Sequence, residues 1–303
     1  MSWIWQAVSN GETVFHGPNV GCFRLLFGLS LLIKCGVEWR RGHHRFFDPE
    51  NYIGLLYATR RSHGKWLNHY VWRSAFFIRF LSSFSIFLGW SVTVAAGMLS
   101  VALIVECIGF SKYHAQFMLL CSVSLIFSES ASRAFSIGTF YRSQGWTDFL
   151  AQSAGARERV IVPLLACLPL MAMYLFSGLH KCRRPFLSGQ IAALALTISE
   201  REAANRKGID STLPPRLRGA LITDGGVPRV ALQMMMHCVV AVELLLPVGF
   251  LFELSLIPAV VAGFALHCAF TAFLPTTLLH FSLACISTYV LFFNPLVVAG
   301  VFQ

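Results

Sequence analysis

Charge is scarce in this sequence. Only 13% of its 303 residues are Asp, Glu, Lys or Arg, about half the share carried by a soluble domain. Apolar residues make up 56% and gather in runs of about 20, a length that suits a hydrocarbon core and not a water-soluble one. A soluble enzyme, a disordered chain and a nucleic-acid module are excluded on this ground. Chemical motifs are equally sparse. There is no CxxC pair, no HxxxH or HExxH pattern, no GxSxG elbow, no phosphate loop and no CxxCH. A zinc site, a di-metal centre, a serine-hydrolase site and haem attachment therefore lack support, and no metal ligand set is expected. The nine cysteines are odd in number. Seven of them (Cys22, Cys107, Cys121, Cys167, Cys238, Cys268 and Cys285) lie in apolar runs, where cysteine acts as a small hydrophobe. The opening MSWIWQAVSNGETVFHGP has neither a basic leader nor a small-residue cleavage site, so no cleaved secretory signal is expected.

What remains is a multi-pass, all-α membrane protein, expected to form one integral membrane domain over 1–303 with no separate soluble domain. The hydropathy pattern predicts spans at about 20–38, 80–108, 114–131, 160–180, 231–252, 254–274 and 278–300. Seven crossings are expected, with five to eight admissible. Residues 185–199 are apolar but too short to cross, and read as a re-entrant or interfacial helix. A polar, aromatic-rich connection occupies about 39–75, and a charged stretch 200–229. The net charge of +10 is read as span-end and loop charge beside anionic lipid, not as a nucleic-acid surface. It does not set orientation: basic residues number 12 on one side of the seven-span arrangement and 10 on the other.

Ionisable groups at bilayer depth are site candidates by default, because each costs several kcal/mol unless paired or hydrated. Lys181 ends MYLFSGLHK and on a helix shares a face with Ser177 and Tyr174, both able to hydrogen-bond it. An amine in a dry pocket gives up its proton more readily than in water, and a neutral amine is a base. The competing reading makes Lys181 the first of three basic residues at a membrane surface. His114 opens the third span, followed at seven-residue steps by Cys121 and Ser128. His237 and His267 lie well inside later spans, while His280 is most simply interfacial. Glu243 is an acid deep in the fifth span and must be neutral or paired, with the carbonyl released by Pro247 as one acceptor. Arg24, in the first span, needs a partner, for which Glu243 and Glu106 are the candidates; snorkelling to the surface is its bland alternative.

At these residues the chain resembles the membrane domain shared by vitamin K-dependent gamma-glutamyl carboxylase and its horizontally transferred transmembrane (HTTM) relatives in bacteria. The resemblance spans roughly 20–298. It is carried by FRLLFGLSLL at 23–32, with Arg24 and Gly28; by KYHAQFMLLCSVSLIFSES at 112–130, where His114 matches the family's histidine and Tyr113 stands in place of its asparagine; and by YLFSGLHKCRRPFLSGQIA at 174–192. In that last stretch Lys181 falls on the catalytic lysine and Gly189 on a later glycine, while Phe186 replaces a tryptophan. A looser match covers His237, Glu243 and LHCAF at 266–270.

The resemblance implies an enzyme of the carboxylase type in a bacterial cytoplasmic membrane. Its cofactors would be a reduced quinone (vitamin K or menaquinone hydroquinone), dioxygen and carbon dioxide. Lys181 would deprotonate the quinol and His114 would stabilise the developing oxyanion, with Arg24, Tyr174, Ser177, His237, Glu243 and His267 around the cofactor. The carboxylase also carries a large soluble domain after its spans, which this sequence does not show, so quinol deprotonation is the firmer expectation and protein carboxylation the weaker one. The alternative is an accessory membrane protein for maturation or export of a secreted peptide, without catalysis of its own. Expected partners are membrane lipid, a lipid-soluble quinone and a secreted peptide or protein substrate.

Overall fold

The computed structural model describes residues 14–42, 68–110, 113–197, 213–223 and 226–293. Most of the connection at 39–75, half of the charged stretch at 200–229 and residues 294–300 of the last expected span lie outside them. Helices dominate. The main ones are α1 (Gly17–Arg40), α2 (His69–Leu88), α3 (Val92–Phe110), α4 (Tyr113–Ile126), the short α5 (Ile137–Arg142) and α6 (Trp146–Ala154), and α7 (Ile161–Lys181). After α8 (Arg184–Leu187) and a helical stretch α9 over 190–197 come α10 (Pro215–Leu221), α11 (Val230–Leu251), α12 (Glu253–Phe273) and α13 (Pro275–Tyr289). One small antiparallel ribbon pairs β1 (Val14–His16) with β2 (Arg157–Arg159), Val14 opposite Arg159.

Five of these helices are long and apolar enough to cross a membrane: α1, α2, α7, α11 and α12. Three shorter apolar segments, Val92–Ile108, His114–Ile126 and Leu278–Phe292, fall below that length. Burial in the described residues is inverted relative to a soluble protein. Phe77, Phe80, Leu81 and Phe84 of α2 and Leu254, Ile257, Val261 and Phe264 of α12 point outwards, while Arg24, Lys34, Arg79, Glu106 and Glu243 are inside. An apolar coat of this extent would be an aggregation hazard in water; against lipid it is the expected surface.

Two expected spans are corrected. The run at 80–108 is not one helix but parts of two. Asn68 caps α2 by accepting from the Val71 amide at 3.0 Å, and the helix ends at Gly89, whose φ of +73° is a left-handed value glycine adopts without strain. The Trp90 amide donates to Ser85 O and the Gly89 amide to Ile86 O, closing the helix C-terminus. Three residues later α3 begins, and the two helices pack on each other as a hairpin. Hydropathy summed along the chain does not register a single left-handed residue. The span at 114–131 stops at Ile126, and Ser130–Ser132 form a 3-10 turn instead.

That turn is held by Glu158 of β2. Its buried carboxylate accepts from the Ser128 hydroxyl, from the Ser130 amide at 3.0 Å and hydroxyl at 2.7 Å, and from the Arg159 amide at 2.9 Å. Ser128, expected on a polar stripe with His114, is therefore committed to a turn.

The described chain divides into two compact units. The N-terminal unit comprises 14–169 with 287–293, and the C-terminal unit comprises 170–286. In the N-terminal unit α1 packs on α2, α2 on α3 and α3 on α4; in the C-terminal unit α11 packs on α12.

Candidate functional site

Two polar centres stand out, one in each unit. Among the described residues, the N-terminal unit holds a quartet of charges. Lys34 of α1 donates to Glu38 Oε1 at 2.5 Å and to Glu106 of α3 at 2.7 and 2.9 Å. Arg79 of α2 donates through Nη1 to Glu106 and through Nη2 to Glu38. Two cations thus meet two carboxylates with no net charge, which is the condition under which buried ions are tolerated. A hollow of about 10 Å³, room for one water, is lined by Trp72, Ala75, Phe76, Arg79, Ala102 and Glu106. The i,i+4 pair Lys34–Glu38 is the only part of this quartet that adjacent sequence could have suggested.

Arg24 belongs to the same unit and has neither of its expected carboxylate partners. Its guanidinium is fully buried and donates to backbone carbonyls: Nη1 to Ile86 O at 2.5 Å and Phe87 O at 2.7 Å, Nη2 to Phe135 O at 2.8 Å and Ala134 O at 3.4 Å. Two of these are terminal carbonyls of α2, where the helix dipole favours a cation. Glu106 is taken by Lys34 and Arg79, and Glu243 by Lys181. Arg24 therefore serves as a helix-end clamp in this structure. His114, also of the N-terminal unit, is half-buried in the first turn of α4.

The C-terminal unit gathers five of the expected site residues: Tyr174, Ser177 and Lys181 from one face of α7, Glu243 from α11 and His267 from α12. Lys181 Nζ meets Glu243 Oε1 at 2.5 Å, with the Glu243 side chain 3% and the Lys181 side chain 22% exposed. Ser177 donates to the other carboxylate oxygen at 3.2 Å. Glu243 is thus paired, and by an amine, not by the Pro247-released carbonyl; Ser177 serves the acid, not Lys181 directly. α7 passes close to α11 here: a Cβ on Gly178 would lie 2.8 Å from Leu244 Cδ2 and 3.4 Å from Glu243 Cβ, so the Leu244 side chain occupies the space a larger residue would need.

Aromatic rings complete the setting. The Lys181 ammonium nitrogen lies 5.4 Å from the Phe186 ring centre and 5.1 Å from that of Phe270, within cation–π range. Phe186, noted in the sequence only as a substitute for tryptophan, keeps an aromatic face at this position. Phe270 also lies 6.0 Å, ring to ring, from His267. Its Nε2 is 2.5 Å from the Tyr174 hydroxyl, and its Nδ1 is 3.2 Å from the Ser282 hydroxyl of α13. Tyr174 and His267 are 2% and 1% exposed. Ser282 was not legible as a site residue; a lone serine among apolar neighbours gives no signal until the fold brings it to an imidazole. His237 does not join this group. It faces outwards on α11, its Nδ1 2.8 Å from Gln233 O of the same helix.

Among the described residues there is no cluster of three or more His, Cys, Asp or Glu side chains placed to hold a metal. Five candidate transmembrane helices and a polar centre built on three apolar helices define the class: an integral membrane protein of helical type. No family model, no curated protein and no solved structure matches the chain.

Proposed function

We propose that this protein is a multi-pass membrane enzyme of about seven spans that removes a proton from a reduced, lipid-soluble quinone, with Lys181 as the base. The reading follows the resemblance to the carboxylase and HTTM family, and one observation carries it: a lysine and a glutamate 2.5 Å apart, walled by Phe186 and Phe270, on helices whose outer faces suit lipid. An amine and a carboxyl in apolar surroundings lower their joint cost by sharing one proton between them. With that proton on Glu243, the Nζ lone pair is available. Lys181 would then take up the proton of a bound quinol hydroxyl, and the resulting ammonium would be held by the two ring faces. Ser177 keeps Glu243 aimed at Nζ.

The residues fit such a cofactor. The amine is partly exposed while its acid partner is closed off, and two aromatic rings lie within cation–π range of it. When bound, the reduced quinone supplies the acidic hydroxyl and, with dioxygen, the strong base that the family's chemistry uses. Carbon dioxide addition and a secreted peptide or protein substrate belong to this proposal through the resemblance, as does a bacterial cytoplasmic membrane. His114 is carried with them as an oxyanion stabiliser.

A second reading is favoured by the ion pair itself. Lys181–Glu243 could staple α7 to α11 in a non-catalytic partner for maturation or export of a secreted peptide. The test is epoxide formation by the full chain in lipid nanodiscs supplied with reduced menaquinone or vitamin K and dioxygen. The enzymatic reading expects epoxide from the intact protein and none from Lys181→Ala. A folded intact protein that yields no epoxide with either quinol removes it and leaves the staple.

A further inference from the structure

Tyr174, His267 and Ser282 form a hydrogen-bonded line, and the contacts of its last member suggest its direction. The Ser282 hydroxyl lies 3.5 Å from the backbone carbonyl of His267, within reach to donate to it. A hydroxyl that spends its proton there offers its lone pairs to whatever approaches next, and what approaches is His267 Nδ1 at 3.2 Å. With the Ser282 proton so engaged, Nδ1 would carry the imidazole proton and Nε2 would be bare, and the Tyr174 hydroxyl, 2.5 Å from Nε2, would donate to it. Each donor meets an acceptor along the line, from Tyr174 O–H to Nε2, from Nδ1–H to Ser282 Oγ, and from Ser282 O–H to His267 O.

We propose that this line makes Tyr174 the second proton-handling group of the C-terminal unit, with His267 as the acceptor of its phenolic proton and Ser282 as the positioning residue that fixes the tautomer. The inference rests on the proton-transfer reading of the same unit given above, and it names the groups that reading leaves unused. Three observations support it together. The line is built from three helices, α7, α12 and α13, so its members are brought together only by the fold. It is closed to water, with Tyr174 and His267 almost wholly buried, a setting in which hydrogen bonds are strong and a wrong tautomer is costly. It also adjoins the Lys181–Glu243 pair: Tyr174 lies two turns back from Lys181 on α7, and Phe270 stands beside both the amine and the imidazole. When the phenol gives up its proton, an O–H bond on Tyr174 breaks and an N–H bond forms at Nε2. The resulting imidazolium still donates through Nδ1 to Ser282, and return of the proton restores the start.

The test is the tautomer itself, read by nitrogen-15 NMR of the full chain labelled in histidine and held in lipid nanodiscs, with His267→Gln to assign the signal. The expected spectrum shows a protonated Nδ1 and a bare, hydrogen-bonded Nε2. Ser282→Ala should lose that preference and Ser282→Thr, which keeps the hydroxyl, should retain it. Tyr174→Phe should move the Nε2 signal to that of an unbonded nitrogen. A protonated Nε2 in the intact protein overturns the proposal, as does a Tyr174→Phe spectrum identical to the intact one, and neither depends on Ser282→Ala folding. In the epoxide assay Tyr174→Phe should lose activity, and Ser282→Thr should exceed Ser282→Ala. Absence of epoxide with the expected tautomer present would sink the quinol reading and leave the line intact.

Discussion

Arg79 of α2 and Glu106 of α3 are bonded to each other inside a helical hairpin, and each is also bonded to a residue of α1, Arg79 to Glu38 and Glu106 to Lys34. Three helices are thus tied by four charges that cancel. Removing one partner leaves an uncompensated buried charge, which costs about 3–5 kcal/mol, whereas removing a whole set can be neutral. Glu106→Ala should therefore lower the melting temperature of the detergent-solubilised protein sharply. The fourfold change of Lys34, Glu38, Arg79 and Glu106 to methionine should recover most of the loss. Equal melting temperatures for Glu106→Ala and the intact chain would show that the quartet is not a tie.

Arg24 reaches four backbone carbonyls because a guanidinium is a planar fork with several donors. An ammonium is a point charge and cannot span them. Arg24→Lys is expected to destabilise the protein, while the quinol concentration giving half-maximal epoxide formation in whatever folds stays unchanged. A shift in that concentration without loss of stability would return Arg24 to the cofactor site.

Gly89 gives way to the same side chain. A Cβ there would lie 2.8 Å from Arg24 Nη1 and 2.6 Å from Ser136 Cβ, at a φ of +73°. Gly89→Ala should destabilise as strongly as Arg24→Lys, and the two changes together should cost less than their sum, because they disturb one contact. Strict additivity of the melting shifts would separate them.

Two polar residues of α11, Glu243 and His237, should part company in function. Glu243 is buried against Lys181, and His237 faces outwards onto its own helix. In the epoxide assay His237→Ala is expected to match the intact protein and Glu243→Gln to lose most activity. Equal effects would mean that the orientation of α11 does not govern the chemistry.

Much of the fold was legible because lipid imposes length. The expected spans at 20–38, 160–180, 231–252 and 254–274 each coincide within a few residues with a helix that meets the crossing criterion. The run at 80–108 misled because Gly89 and Ser91 bend the chain without lowering its hydropathy, and because Arg79 reads as a loop charge when its two carboxylate partners are 41 and 27 residues away. For the site, helical spacing correctly aligned Tyr174, Ser177 and Lys181, and cost alone demanded a partner for Glu243. Which partner was beyond the sequence, since Lys181 and Glu243 are 62 residues apart and His267 and Ser282 lie on different helices. Arg24 was matched to carboxylates because carbonyls at a helix end are anonymous in sequence.

The direct trial of Lys181 as a base is Lys181→Arg. A guanidinium keeps a positive charge and can keep the contact with Glu243, yet it does not release a proton at any accessible pH. Epoxide formation should therefore vanish in a variant whose melting temperature stays near that of the intact protein. A Lys181→Arg protein that still makes epoxide at the intact rate would contradict the account.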